Sequence, residues 1–134
     1  MPIVPRILDD DADAEVRKVY DDIRATRGTD YINDFWRVLA NDPPQLDAVW
    51  RQAKSVMAPG AIDALMKELI YVAVSIANNC EYCVKTHTAA ARAKGMTDEQ
   101  YREFMRVVAL ASVTNRIAIG YQIEPDERYR TPAS

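Results

Sequence analysis

The sequence predicts an all-α fold, a compact single-domain bundle of about six helices. Apolar residues recur at three- and four-residue spacing along most of the chain, and no alternating strand pattern competes. All seven prolines lie outside residues 60–124, and the four glycines fall near the ends of periodic segments, where helices are punctuated. With 134 residues, 49% of them hydrophobic and 28% charged, the chain is long enough to bury roughly two-thirds of its unfolded surface, which excludes intrinsic disorder for most of it.

The elements follow in order. Val16, Val19, Tyr20 and Ile23 share one helical face after the acidic run Asp9 to Asp11, and Gly28 suits a C-terminal cap, giving a first helix over 11–26. The acidic run itself reads as a solvated helix start. Residues 33–40 form a short second helix. Asp42 caps a third, with Pro43 at its first position and Leu46, Val49, Trp50, Ala53 and Met57 inward, ended by Pro59-Gly60. A fourth helix over 61–78 carries a broad apolar stripe of Ile62, Leu65, Met66, Leu69, Val72, Ala73 and Ile76. Asn78-Asn79 supplies a break and an N-cap, and an alanine-rich fifth helix runs over 80–94 to Gly95. Thr97 and Gln100 have capping-box spacing and open a sixth helix with Tyr101, Phe104, Met105 and Val108 on one side and a break expected near Asn115. Residues 1–124 are thus expected as the domain and 125–134 as a polar tail. There is no internal repeat and no low-complexity segment.

The net charge is -3, from 17 Lys+Arg against 20 Asp+Glu, so the electrostatic footprint of a nucleic-acid-binding protein is missing and nucleic acid is not an expected partner. The longest apolar run, residues 69–77, is far short of the ~20 residues that span a bilayer, so no membrane association is expected. The N-terminal residues lack the basic and apolar regions of a secretory signal, and the expected location is the cytoplasm. A close cysteine pair in a reducing compartment points to metal binding or redox chemistry more than to a structural bridge.

Both cysteines and the one histidine fall within eight residues, Cys80-Glu81-Tyr82-Cys83-Val84-Lys85-Thr86-His87. Cys80, Cys83 and His87 are related as i, i+3 and i+7 and share one helix face. Cys80 lies at the helix start, where unpaired N–H groups and the helix dipole favour a thiolate. If the fourth and fifth helices form a hairpin turning at Asn79, His87 lies level with Val72 and Cys83 with Ile76, and Glu68 stands about one turn, ~5–6 Å, beyond His87. Glu68, His87 and Cys83 then form a file able to pass a proton directly or through a water, with the carboxylate orienting the imidazole.

The spacing Glu68, eleven residues, Cys80, two residues, Cys83, three residues, His87, set in KELIYVAVSIANNCEYCVKTHTAAARAKGMTDEQ, resembles the alkylhydroperoxidase D branch of the carboxymuconolactone decarboxylase superfamily. Similarity extends from the first helix to about Tyr121. The resemblance implies an all-helical fold that assembles into trimers or hexamers with the cysteine pair near a subunit interface, and thiol peroxidase activity. It implies that Cys83 attacks the hydroperoxide and becomes a sulfenic acid, that Cys80 resolves it to a disulfide, and that Glu68 and His87 relay the proton. A dithiol such as a lipoyl domain or a small redox protein would return the electrons. The best-known members carry a histidine between the cysteines, where this chain has Tyr82, whose hydroxyl can hydrogen-bond there.

Other chemistries fit less well. Structural zinc usually draws four ligands from two chain segments, and one histidine with one cysteine pair falls short, so no metal is expected. A c-type haem needs histidine directly after the second cysteine, where Val84 stands, and no cofactor is expected. Trp36, Trp50 and Tyr71 read as core packing with no assigned role. A redox relay or sensor without peroxide turnover is the alternative from another class, and lactone decarboxylation is a third reading, although the decarboxylases typically lack the cysteine pair.

Overall fold

The computed structural model describes residues 1–130. Its described residues form six α-helices and two short 3-10 turns, with no strand: α1 (Ala14–Arg27), α2 (Asp34–Leu39), α3 (Pro43–Met57), α4 (Ala64–Ala77), α5 (Glu81–Ala93) and α6 (Asp98–Gly120), the turns being Asp9–Asp11 and Glu127–Tyr129. Contacts divide the chain, expected as one domain over 1–124, into two compact units: Met1–Pro59, and the residues from Gly60 onward. Residues 131–134 of the expected tail lie outside the described residues.

In the first unit α1 packs on α3 and α2 on α3. Val16, Val19, Tyr20 and Ile23, the predicted inward face of α1, are all buried, together with Ile32, Trp36, Leu46 and Trp50. Asp13 caps α1 by accepting from Val16 N–H at 2.9 Å, and Gly28 ends it with φ 64, a left-handed conformation that glycine adopts without strain. Asp42 caps α3, accepting from Gln45 N–H, with Pro43 at N1 as predicted. The tryptophans do belong to the core: their rings meet edge to face at 5.4 Å, and Trp50 Nε1 donates to Asp22 at 2.7 Å, which satisfies the one polar atom that its burial would strand. Asp9 is more than a solvated helix start. It accepts from Arg24 and Arg37 and pins the N-terminal segment to α1 and α2.

In the second unit α4 and α5 form the dominant packed pair, with α6 against α4. Helix α4 begins three residues later than predicted because Asp63, not a residue before Ala61, caps it by accepting from Met66 N–H at 2.8 Å. Its buried face also differs. Of the stripe expected inward, Val72 is buried, Met66 is about half exposed and Ile62 precedes the helix, while Glu68 and Ser75 are buried beside Val72. These three stand at i, i+4 and i+7 and face α5, so two polar side chains flank Val72 on the inward face. The Thr97 and Gln100 capping box is formed in both directions. Helix α6 runs on unbroken through Asn115, which a helix tolerates when the side chain points to solvent.

Leu46 is fully buried, and Leu46→Ala is expected to destabilise the protein by about 2–5 kcal/mol, read as a lower urea midpoint in equilibrium unfolding.

Candidate active site at the α4–α5 hairpin

Both ends of α5 are built by the same device. Past the end of α4, Asn79 N–H donates to Ile76 O at 3.1 Å and Cys80 N–H to Ser75 O at 2.9 Å, a Schellman closure that needs a left-handed residue between them. Asn79 fills that place with φ 56, a conformation that asparagine tolerates better than most residues. The chain therefore turns at Asn79 as predicted, but the N-cap of α5 is Cys80 rather than an asparagine. At the far end Gly95, with φ 93, lets its own N–H reach Arg92 O at 3.0 Å and Met96 N–H reach Ala91 O at 3.1 Å, with Ala91 and Met96 both buried. Lys94 is the cap residue of that closure.

The hairpin brings Glu68 and His87 closer than one helical turn. His87 Nδ1 and Glu68 Oε2 share a hydrogen bond of 2.7 Å, and Lys94 Nζ donates to the other carboxylate oxygen, Oε1, at 3.2 Å. Glu68 is only 5% exposed. Burial works against its charge, but the hydrogen bonds from His87 and Lys94, with the attraction of the ammonium and of the imidazole when it is protonated, overcome that and hold its carboxyl below the usual glutamate range. Tyr71 lies flat on the imidazole, with ring centroids 3.6 Å apart and planes inclined by 21°.

Cys80 and Cys83 are both free thiols, partly exposed. The two thiols differ in how firmly each holds its proton. The Cys83 thiol donates to Cys80, and the Cys83 and Tyr82 N–H groups at the open helix start add to this, so the Cys80 thiol is lowered from its ordinary range although it makes no capping hydrogen bond of standard geometry. Cys83 is pushed up to about 11, first by burial, then by the hydrogen bond to Cys80 and by that neighbour's charge, while the Ser75 hydroxyl works the other way. Tyr71 is raised too, first by burial and then by the charges of Cys83, Cys80 and Glu68.

Glu68 and His87 thus meet directly, and Cys80 meets Cys83. Among the described residues no hydrogen bond joins His87 to either thiol; the Tyr71 ring and the Ser75 hydroxyl occupy that region, with Ser75 Oγ donating to Tyr71 O at 2.7 Å. Tyr71, Ser75 and Lys94 are what sequence reasoning missed. The signal was there: Tyr71 and Ser75 are i+3 and i+7 from Glu68, and Lys94 is i+7 from His87, so each shares a face with a residue already singled out. No group of three metal-ligating side chains is found among the described residues.

The sequence matches the Carboxymuconolactone decarboxylase family over residues 43–120. The chain belongs to that family. Within it the fold is that of the alkylhydroperoxidase D-like branch: the crystal structure of the alkylhydroperoxidase AhpD core from Rhodospirillum rubrum superposes with a TM-score of 0.95 and 48% identity, covering 98% of each chain. An uncharacterized protein of the cox locus in Paracoccus denitrificans is 41% identical over 63 residues, 47% of this chain and 57% of its own. Against that relative the matched region therefore spans little more than half its length. An uncharacterized protein from Cupriavidus necator is 30% identical over 82 residues, 61% of this chain and 73% of its own.

Because the Glu68 carboxyl is lowered from its ordinary value of 4.5, the stability that its ionisation contributes is fully present above about that pH and is lost as pH falls through the lower folded-state value. Glu68→Gln is expected to flatten this acid limb, so that the stability difference between wild type and variant shrinks as pH falls below 4.5 in a series of denaturant titrations.

Proposed function

We propose that the protein is a thiol peroxidase of the alkyl hydroperoxide reductase type, working through the Cys80/Cys83 dithiol with Glu68 and His87 as proton relay. The observation that carries the reading is the 2.7 Å bond between His87 and a buried Glu68 on the helix pair that also presents both cysteines. The imidazole held by a carboxylate is oriented to accept a thiol proton, directly or through a water. A thiolate sulfur attacks the terminal oxygen of the hydroperoxide, the O–O bond breaks, an alcohol leaves with one proton, and the sulfur becomes a sulfenic acid. The second thiol displaces water from that sulfur and closes the disulfide. An external dithiol, of the kind a lipoyl domain or a small redox protein carries, reduces it by thiol–disulfide exchange.

The reading gives the attack to Cys83 and the resolving step to Cys80, as the family spacing suggests. The raised Cys83 thiol is then the group that needs the relay, since its proton must leave before it can react at neutral pH. A second reading is favoured by the lowered Cys80: a dithiol with its charge on the exposed N-terminal cysteine also suits a redox relay or sensor that exchanges disulfides without turning over peroxide. Lactone decarboxylation, which the family name suggests, would need no cysteine. The cytoplasm, with its reducing thiol pool, suits either cysteine cycle, and the working domain is taken as residues 1–124 with the polar residues 125–134 outside it.

Wild type is expected to consume hydroperoxide continuously with a lipoyl-type dithiol, Cys83→Ser to lose turnover at every pH, and Cys80→Ser to undergo one oxidation and stall as a trappable sulfenic acid. The reverse pattern moves the attack to Cys80; activity that survives loss of both cysteines supports the decarboxylase. Glu68→Gln and His87→Phe are expected to slow the first oxidation by about 10²–10⁴-fold at neutral pH and to recover as pH rises toward the thiol's own range.

The reading includes a homo-oligomer, a trimer or hexamer. Helix α6 carries Val107, Leu110, Val113 and Ile117 exposed, and α4 exposes Met66, Ile70 and Val74, an apolar area that a lone chain seldom leaves in water. Light scattering at micromolar concentration is expected to give a multiple of the 15.1 kDa subunit, and a monomer mass would refute this part.

A further inference from the structure

Glu68 has one negative charge and two donors, His87 on Oε2 and Lys94 on Oε1. If His87 alone faced this buried carboxylate, the charge would be best balanced by a second ring proton, and an imidazolium has no lone pair left to take a proton from a thiol. An ammonium on the other oxygen changes this. The carboxylate then has its counter-charge and asks of His87 only the N–H at Nδ1, which leaves Nε2 as an acceptor. Lys94 is delivered to that place by the backbone: it is the cap residue of the closure that Gly95 and Met96 make at the end of α5, seven residues after His87 on the same helix face.

We propose that Lys94 is a positioning residue of the relay, sharing the Glu68 carboxylate with His87 so that the imidazole serves as a one-proton base instead of a charged partner locked to the carboxylate. The inference rests on the thiol peroxidase reading for its purpose, though not for its test. The charged and titratable groups around the pair are few. From α5, Lys94 and His87 act on Glu68; from α4, Tyr71 stacks on the imidazole and itself feels Cys80 and Cys83; no charged side chain of α6 is among the groups acting on Glu68. The Lys94 side chain is 38% exposed, so water screens its charge and the effect is moderate.

His87 is the chain's one histidine, so protein labelled with 15N-histidine reports this ring alone. The full chain is titrated as wild type, Lys94→Met and Lys94→Arg, with the rate of thiol oxidation by hydrogen peroxide measured in parallel. In Lys94→Met the doubly protonated ring is expected to persist to a pH about one unit higher than in wild type, with the rising limb of the oxidation rate displaced the same way, and Lys94→Arg to restore both. Identical ring titrations in wild type and Lys94→Met, or a displacement toward lower pH, overturn the inference. Lys94→Gln carries the same readout should the methionine variant fail to fold by circular dichroism. A wild type that turns over no peroxide with any dithiol removes the peroxidase reading, and the ring titration still decides the role of Lys94.

Discussion

The hydrogen bond between Glu68 and His87 governs the second half of the molecule. A carboxylate with 5% of its surface exposed is tolerated only if its charge and lone pairs are met, and here both partners come from α5. Register follows from that requirement. Sliding α5 by one residue would swing His87 by about 100° off the shared face and strand a buried charge, which costs several kcal/mol. Yet the pair is poor evidence of stability for its own sake. Well-packed apolar residues of similar volume generally replace a buried ion pair without loss, so its presence between two helices that already bring Val72 and Ala91 into contact with the interior calls for a chemical reason. The proposed relay, with the imidazole held at a fixed orientation by the carboxylate, would be such a reason.

The two left-handed closures translate that register into a site. Asn79 places Cys80 three residues past the end of α4, tied by its N–H to the Ser75 carbonyl, and Cys80 then caps the start of α5. Cys80 therefore faces the unpaired N–H groups of a helix start, while Cys83, one turn in, is more buried and pays in thiolate stability what Cys80 gains. The proton is held more firmly on Cys83 than on Cys80. Moving it off Cys83 needs an acceptor nearby, and Ser75, whose carbonyl holds Cys80 and whose hydroxyl acts on Cys83, couples the backbone turn to the chemistry of both cysteines.

What the sequence made legible was of two kinds. Local chemistry read well: Asp42 with Pro43, Thr97 with Gln100, Gly28 and Gly95 mark helix ends because each satisfies or frees specific backbone groups within a few residues. The meeting of Glu68 with His87 read too, since a hairpin with a short turn fixes which residues lie level, whereas the expected continuation of that file to Cys83 is not formed as a hydrogen bond among the described residues. The face of α4 read only in part, with Val72 buried as expected but Met66 exposed and Glu68 and Ser75 inward. Hydrophobicity pointed to Met66 and Leu69, but two helices that carry a buried acid and base turn polar side chains inward, and pattern alone does not price a carboxylate that will meet an imidazole and an ammonium. Asn78-Asn79 misled for a related reason: asparagine serves both as an N-cap and as a left-handed closing residue, and only the position of Cys80 N–H on Ser75 O decides between them. Tyr71 looked like core and is instead 41% exposed, flat on the imidazole.

The two units divide the physical work unevenly. The apolar core cluster lies wholly in the first, where the Trp36 and Trp50 rings and the fully buried Ile23 and Leu46 supply burial that scales with area. The second unit has few fully buried apolar side chains, Val72, Ala91 and Met96, because its central helix pair gives its inner face to Glu68 and Ser75. Helix α6, 23 residues long, buries none of its residues. An isolated helix of that length is only marginally stable in water, since most helical stability comes from packing an apolar face. Val107, Leu110 and Ile117 on that helix are therefore unspent hydrophobic surface, the surface on which the proposed homo-oligomer would draw.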